Sequence, residues 1–222
     1  MSIENIIVAI VTILLVIMSI ILHEISHGYA AYKMGDMTAK SMGRLSLNPL
    51  KHIDPFGSVL LPVVLYFTSG LVIGYAKPVP YNPNRFENKR KGEVIVGLAG
   101  PACNLVLAII FAILGRAAKL LYFSTGGGAL GYWLFVICAS AVSVNLCLMF
   151  FNLIPLPPLD GSSIIAPFLS DKALHSYYKV QQYSLPILLG IIILFPMIFH
   201  FDPISVYLQF TAGNLTDLLL GL

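Results

Sequence analysis

Charge is scarce in this chain: Asp, Glu, Lys and Arg make up 10% of 222 residues, against about a quarter in a soluble protein. So few charged groups cannot cover the surface of an ordinary soluble domain. With 13 Lys and Arg against 10 Asp and Glu, there is also no basic field to hold nucleic acid. Cysteine is equally sparse. Cys103, Cys138 and Cys147 sit in apolar runs and form no C-x-x-C pair, which excludes a disulfide framework and a thiolate zinc site. No basic n-region precedes the first apolar run, where Glu4 stands instead, so that run reads as a retained segment and not as a cleaved signal peptide. Internal repeats, low-complexity tracts and an appended soluble domain are missing as well.

The composition is 58% hydrophobic, with a mean hydropathy of +0.87. This predicts an all-α polytopic membrane protein, read as one domain over 1–222. The first helix is expected from Ile3 to Met34, with Gly35 as its stop. Further spans are expected over 94–118, 130–153 and 185–201. The last apolar stretch, Pro203 to Leu222, reads as a final span or an interfacial helix. Between spans, residues 36–55 read as an extramembrane or interfacial loop, in which Arg44-Leu45-Ser46-Leu47 could pair as strands and His52 and Asp54 are solvated by default. Ser170 to Ser184 reads as a polar connection. The run Phe56 to Tyr75 has the length of one span but carries Gly57, Pro62, Gly70 and Gly74 and has basic loops on both sides. By the positive-inside rule it enters and leaves by the cytoplasmic face, as a re-entrant or interfacial segment.

Inside the first apolar helix stands Leu22-His23-Glu24-Ile25-Ser26-His27-Gly28. Residues four apart share a helix face, so His23 and His27 can hold one metal ion with Glu24 beside it as general base. This is the H-E-x-x-H arrangement. Two helical histidines are more often packing residues, but three ionisable groups within an apolar span are costly without a role. Catalytic zinc takes three protein ligands, and the third has several candidates: Asp160, Asp54, His52, Glu93, His175 and His200. Asp160 follows the proline-broken end of the 130–153 helix and has the best local case, against the alternative of capping a helix begun at Gly161. If it is the ligand, the first helix and the 130–153 helix point the same way, and the 94–118 helix makes the one crossing between them. The role of Asn104 is not legible, while Asn145 reads as an amide hydrogen-bonding between helices, the default for any amide in such surroundings. Asn152 reads either so or as a donor to an oxyanion or an extended substrate.

Three ordered elements, H-E-I-S-H at 23–27, G-P-A-C-N at 100–104 and N-L-I-P-L-P-P-L-D-G at 152–161, make the chain resemble the site-2 protease family of intramembrane zinc metalloproteases. The stretches Gly43 to Gly57 and Ala76 to Pro80 make it similar to a compact prokaryotic branch without a PDZ domain. The resemblance covers about 1–165 and implies one zinc ion on His23, His27 and Asp160, with Glu24 as the base and Asn152 as the family's asparagine. It also implies a three-helix core, with one or two further C-terminal helices over about 184–222, in a multi-pass protein of the cell membrane. The site would open toward the cytoplasm, and the substrates would be transmembrane proteins cleaved in or near the lipid bilayer. Two other readings stand beside it: a divalent-metal transporter, which would need no base at Glu24, and a silent scaffold that binds membrane helices, against which the intact site residues count. The oligomeric state is not legible.

Overall fold

The computed structural model describes residues 3–60, 63 and 76–222. Most of the run Phe56 to Tyr75, and with it the expectation of a re-entrant segment, lies outside the described residues. Its first turn, Pro55–Leu60, is π-helical. The described chain is helical throughout its regular parts, as expected of an all-α polytopic membrane protein. Helix α1 spans Ile3–Lys33 and ends at Gly35, whose φ of 99° suits glycine alone. A short α2, Thr38–Ser41, follows.

Helix α3, Lys89–Ser124, and helix α4, Ala129–Asn152, form the next pair. The turn between them uses Gly126 and Gly127 with φ of 65° and 93°. Helix α3 is longer at both ends than the apolar run that predicts it. At its start Asn88 Oδ1 accepts from Lys91 N at 3.0 Å, and the basic stems there can reach water. Near its end Arg116 and Lys119 find carbonyl partners, described below. Three helices, Ile6–Lys33, Lys89–Ser124 and Ala129–Asn152, are long and apolar enough to cross a bilayer.

After Asn152 the prolines stop α4 and the chain doubles back into α5, Asp160–Ile165. A Cβ on Gly161 would overlap the carbonyls of Leu153 and Ile154, so this close return needs glycine. The polar run Ser170 to Ser184 contains α6, Asp171–Gln181. The Ser170 hydroxyl accepts from Ala173 N at 3.4 Å as an N-cap. Polarity alone does not separate a solvated helix from a loop. Helix α7, Ser184–Phe199, contains a π turn at Gly190–Leu194 and is bent by 73° from α6. Two helices complete the chain, α8 (Pro203–Leu208) and α9 (Asn214–Leu220), joined by a π turn at Gln209–Gly213.

The chain packs as two units. One holds α1 through Ser19, Pro101–Asn152 and Pro203–Leu222; the other holds Ile20–Gly100 and Leu153–Asp202. In the first, Tyr207 Oη donates to the Phe150 carbonyl at 3.2 Å. Arg116 donates from Nε and Nη2 to the carbonyls of Leu219 and Leu218 at 2.7 and 2.9 Å, and Lys119 donates to Gly221 at 2.9 Å. The two cations therefore cap the C-terminus of α9. From Pro203 to Leu220 the chain rises about 27 Å, close to the ~30 Å bilayer core, with Ala212 and Leu220 buried.

The second unit carries the candidate site. His52, expected to be solvated, is buried there at 3% exposure, as are the loop residues Asp36 and Arg44 at 0% and 8%. No strand forms at Arg44 to Leu47 or elsewhere among the described residues. The polar groups of that stretch bond elsewhere instead, Arg44 to the Lys77 carbonyl at 2.8 Å and, within the same loop, the Ser46 carbonyl to His52 Nε2 at 2.7 Å.

Candidate active site

Helical spacing on α1 sets His23 and His27 one turn apart, with their Nε2 atoms 3.0 Å from each other. The doubled-back segment brings Asp160, the first residue of α5, to the same point. Its Oδ2 lies 3.0 Å from His23 Nε2 and 3.3 Å from His27 Nε2. Asp160 does not cap its own helix, since α5 has no side-chain cap. Both imidazoles are buried, at 6% and 7% exposure.

The donor chemistry fits a metal ion. The Val96 carbonyl, a pure acceptor, lies 2.7 Å from His27 Nδ1, so Nδ1 carries the proton and Nε2 turns its lone pair inward. That lone pair, the His23 Nε2 and the carboxylate oxygen crowd together at 3.0–3.3 Å. Ligands at zinc's usual bond lengths in a tetrahedron stand about 3.3 Å apart. Asp160 Oδ2 is buried and has no conventional hydrogen-bond partner, as expected of an atom meant for a cation. Helix α3 makes room for the group at Gly100, where an added Cβ would fall within 2.6 Å of His23 Nε2 and closer still to His27 Nε2.

Glu24 lies beside this group on α1, and its Oε2 accepts from the backbone N–H of Val79 at 2.9 Å. The other sequence candidates are placed elsewhere. His52 bonds the Ser46 carbonyl, and Asp54 Oδ1 accepts from Phe56 N and Gly57 N at 3.0 and 2.7 Å. His175 and His200 are exposed. Glu93 lines a cavity of about 140 Å³ with Tyr81, Ser162, Ser163, Tyr177 and Gln181. Among the described residues, His23, His27 and Asp160 form the group of donors that could hold an ion.

Asn145 donates within α4 to the Ala141 carbonyl at 2.9 Å and its Oδ1 has no partner, so the expected bond between helices is not made among the described residues. Asn152 donates to the Leu148 carbonyl at 2.9 Å. Asn104 is fully buried, with both amide atoms unpartnered. Sequence reasoning missed Val79, which donates to Glu24, and Arg44 and Asp36, which hold the segment that carries it. Their one advance signal is the Pro78-Val79-Pro80 run, which restricts the backbone.

The profile of Peptidase family M50 matches residues 11–126, a stretch that holds both histidines, Glu24 and G-P-A-C-N. The chain belongs to this family. M50 is the site-2 protease family that the motifs resemble, so the chain is a peptidase by descent. Relatives agree. The "Putative zinc metalloprotease YwhC" of Bacillus subtilis is 37% identical over 200 residues, covering 84% of this chain and 84% of that protein. The protein named Rip2 of Mycolicibacterium smegmatis, with the same zinc metalloprotease description, is 31% identical over 214 residues, or 90% of this chain and 77% of that one. "Zinc metalloprotease MJ0392" of Methanocaldococcus jannaschii is 27% identical over 169 residues, 76% of this chain and 37% of that longer protein. No solved structure matches the chain.

Proposed function

We propose that this M50 peptidase is an intramembrane zinc metalloprotease, one domain over 1–222 with its core in about 1–165, that hydrolyses peptide bonds of transmembrane protein substrates within or near the bilayer. The observation that carries this reading is the meeting of Asp160 Oδ2 with His23 Nε2 and His27 Nε2 of a membrane-length helix, all within 3.0–3.3 Å. Those three atoms would hold the zinc ion. Bound there, zinc supplies a Lewis acid that polarises a carbonyl and makes water acidic enough to attack near neutral pH.

The chain's own groups do the rest. Glu24 takes the proton of the attacking water on a carboxylate oxygen and returns it to the amide nitrogen as the C–N bond breaks, giving one acid and one amine product. The proton on His27 Nδ1 stays there, donated to the Val96 carbonyl, and that bond keeps the ring's orientation. A substrate helix satisfies its peptide groups internally, so it must unwind locally before its carbonyl can be reached. The basic loops beside the site fit an opening toward the cytoplasm.

The test is zinc content and cleavage of a panel of single-span substrates by detergent-purified wild type and Glu24→Gln. Zinc retained in both with cleavage lost in Glu24→Gln is the expected result. A zinc-free wild type, or equal cleavage by the two, would overturn the reading.

A further inference from the structure

Residues 76–80 read Ala-Lys-Pro-Val-Pro. Proline has no N–H and holds itself and the residue before it extended, so between 78 and 80 Val79 alone can donate from the backbone. The segment has no regular secondary structure and lies as a strap on α1. The Val79 side chain is 4% exposed and rests on Gly28, where a Cβ would stand 2.6 Å from Val79 Cγ1. Its N–H is thereby aimed at Glu24 Oε2, 2.9 Å away.

The strap is pinned on both sides of that amide. Before it, Arg44 Nη2 donates to the carbonyls of Lys77 and Pro78 at 2.8 and 3.3 Å, and Lys77 N donates to the His52 carbonyl at 2.8 Å. After it, Asn82 N donates to Asp36 Oδ2 at 2.6 Å. Arg44 is a buried cation that, among the described residues, forms no ion pair with a carboxylate. A buried guanidinium is costly unless its donors are met; here Nη2 is met by two backbone carbonyls of one short segment, while Nε has no partner.

We propose that Arg44 is a positioning residue for Glu24: it sets the height of the strap so that the Val79 N–H holds one carboxylate oxygen and leaves the other for proton transfer. This rests on the reading of Glu24 as the base. A glutamate has three rotatable side-chain bonds, and a base acts only from within hydrogen-bond reach of the proton it takes. A backbone donor fixes it without adding a titrating group.

Two measurements test this on the full-length protein. Amide exchange at Val79, followed by mass spectrometry of a peptide spanning 76–82, needs no catalysis. Arg44→Met and Glu24→Ala are each expected to speed exchange at Val79 about tenfold or more; unchanged exchange in either overturns the proposal. The second uses a fluorescent single-span peptide in micelles, with kcat and KM determined separately and zinc measured. Arg44→Met is expected to lower kcat about tenfold or more, with KM and zinc within about twofold and Arg44→Lys in between. An unchanged kcat, or a loss that follows zinc, overturns it. If Arg44→Met does not fold, Val79→Pro removes the donor together with the valine side chain and must lose kcat, while Val79→Ala trims that side chain but keeps the N–H and must retain kcat within about threefold. Absence of wild-type cleavage with the expected exchange pattern would sink the protease reading and leave the clamp on Glu24 standing.

Discussion

His27 Nδ1 stands 2.7 Å from the carbonyl of Val96, so a backbone acceptor on α3 decides which nitrogen of an α1 imidazole faces Asp160. Because the acceptor is a carbonyl, no side-chain change at Val96 removes it. His27→Gln, which cannot restore that inward lone pair on the same axis, is expected to lower zinc occupancy at least about tenfold, read by metal analysis of the purified protein. Wild-type occupancy in this variant would show that the ion does not need His27.

Gly100 is the second point at which α3 shapes the group. Gly100→Ala would drive a methyl into both imidazoles, so zinc and activity are expected to fall together, activity by about a hundredfold. Gly190→Ala is the matched control, since a Cβ there meets nothing within 4 Å, and it should keep both.

Asp36 ties the loop after α1 to the strap. Burial opposes its charge, but hydrogen bonds from Thr38 and from Asn82 N, with the Arg85 guanidinium at 3.3 Å, outweigh it and hold the carboxyl below the usual range. A depressed folded-state value stabilises the fold fully above the unfolded pKa and loses that contribution as pH falls through the folded one. Thermal unfolding should therefore show wild type losing stability below about pH 4 more steeply than Asp36→Asn. At pH 7 the variant should be less stable by about 1–3 kcal/mol.

Arg116 and Lys119 hold the end of α9. Replacing both by Met leaves the carbonyls of Leu218, Leu219 and Gly221 without these donors, at an expected cost of about 1–3 kcal/mol. Faster proteolytic trimming at the C-terminus should accompany the lower melting temperature, and zinc content should not change.

What the sequence discloses follows the range of the physics involved. His23, Glu24 and His27 are legible because helical spacing is a local rule, and α1, α3 and α4 because bilayer thickness sets a minimum length. Asp160 is legible only as the most costly carboxylate near a broken helix; its approach to the histidines depends on the tight return at Gly161. Asp36, Arg44 and His52 look like solvated loop residues, since polar side chains among glycine and proline usually are. Their burial is decided by carbonyls and amides contributed from 77–82, partners that no periodicity reveals. The helix at Asp171–Gln181 is hidden for a related reason, because its pattern is polar and its start depends on one serine cap.

The hydrogen bond from Val79 to Glu24 belongs to the main chain, and nineteen of the twenty genetically encoded residues carry the same donor. Alanine scanning would pass over position 79 as permissive, and a designer retuning this peptidase would find no side chain there to adjust. Control of that oxygen is instead reached through backbone chemistry, by an ester linkage or a proline in place of the amide.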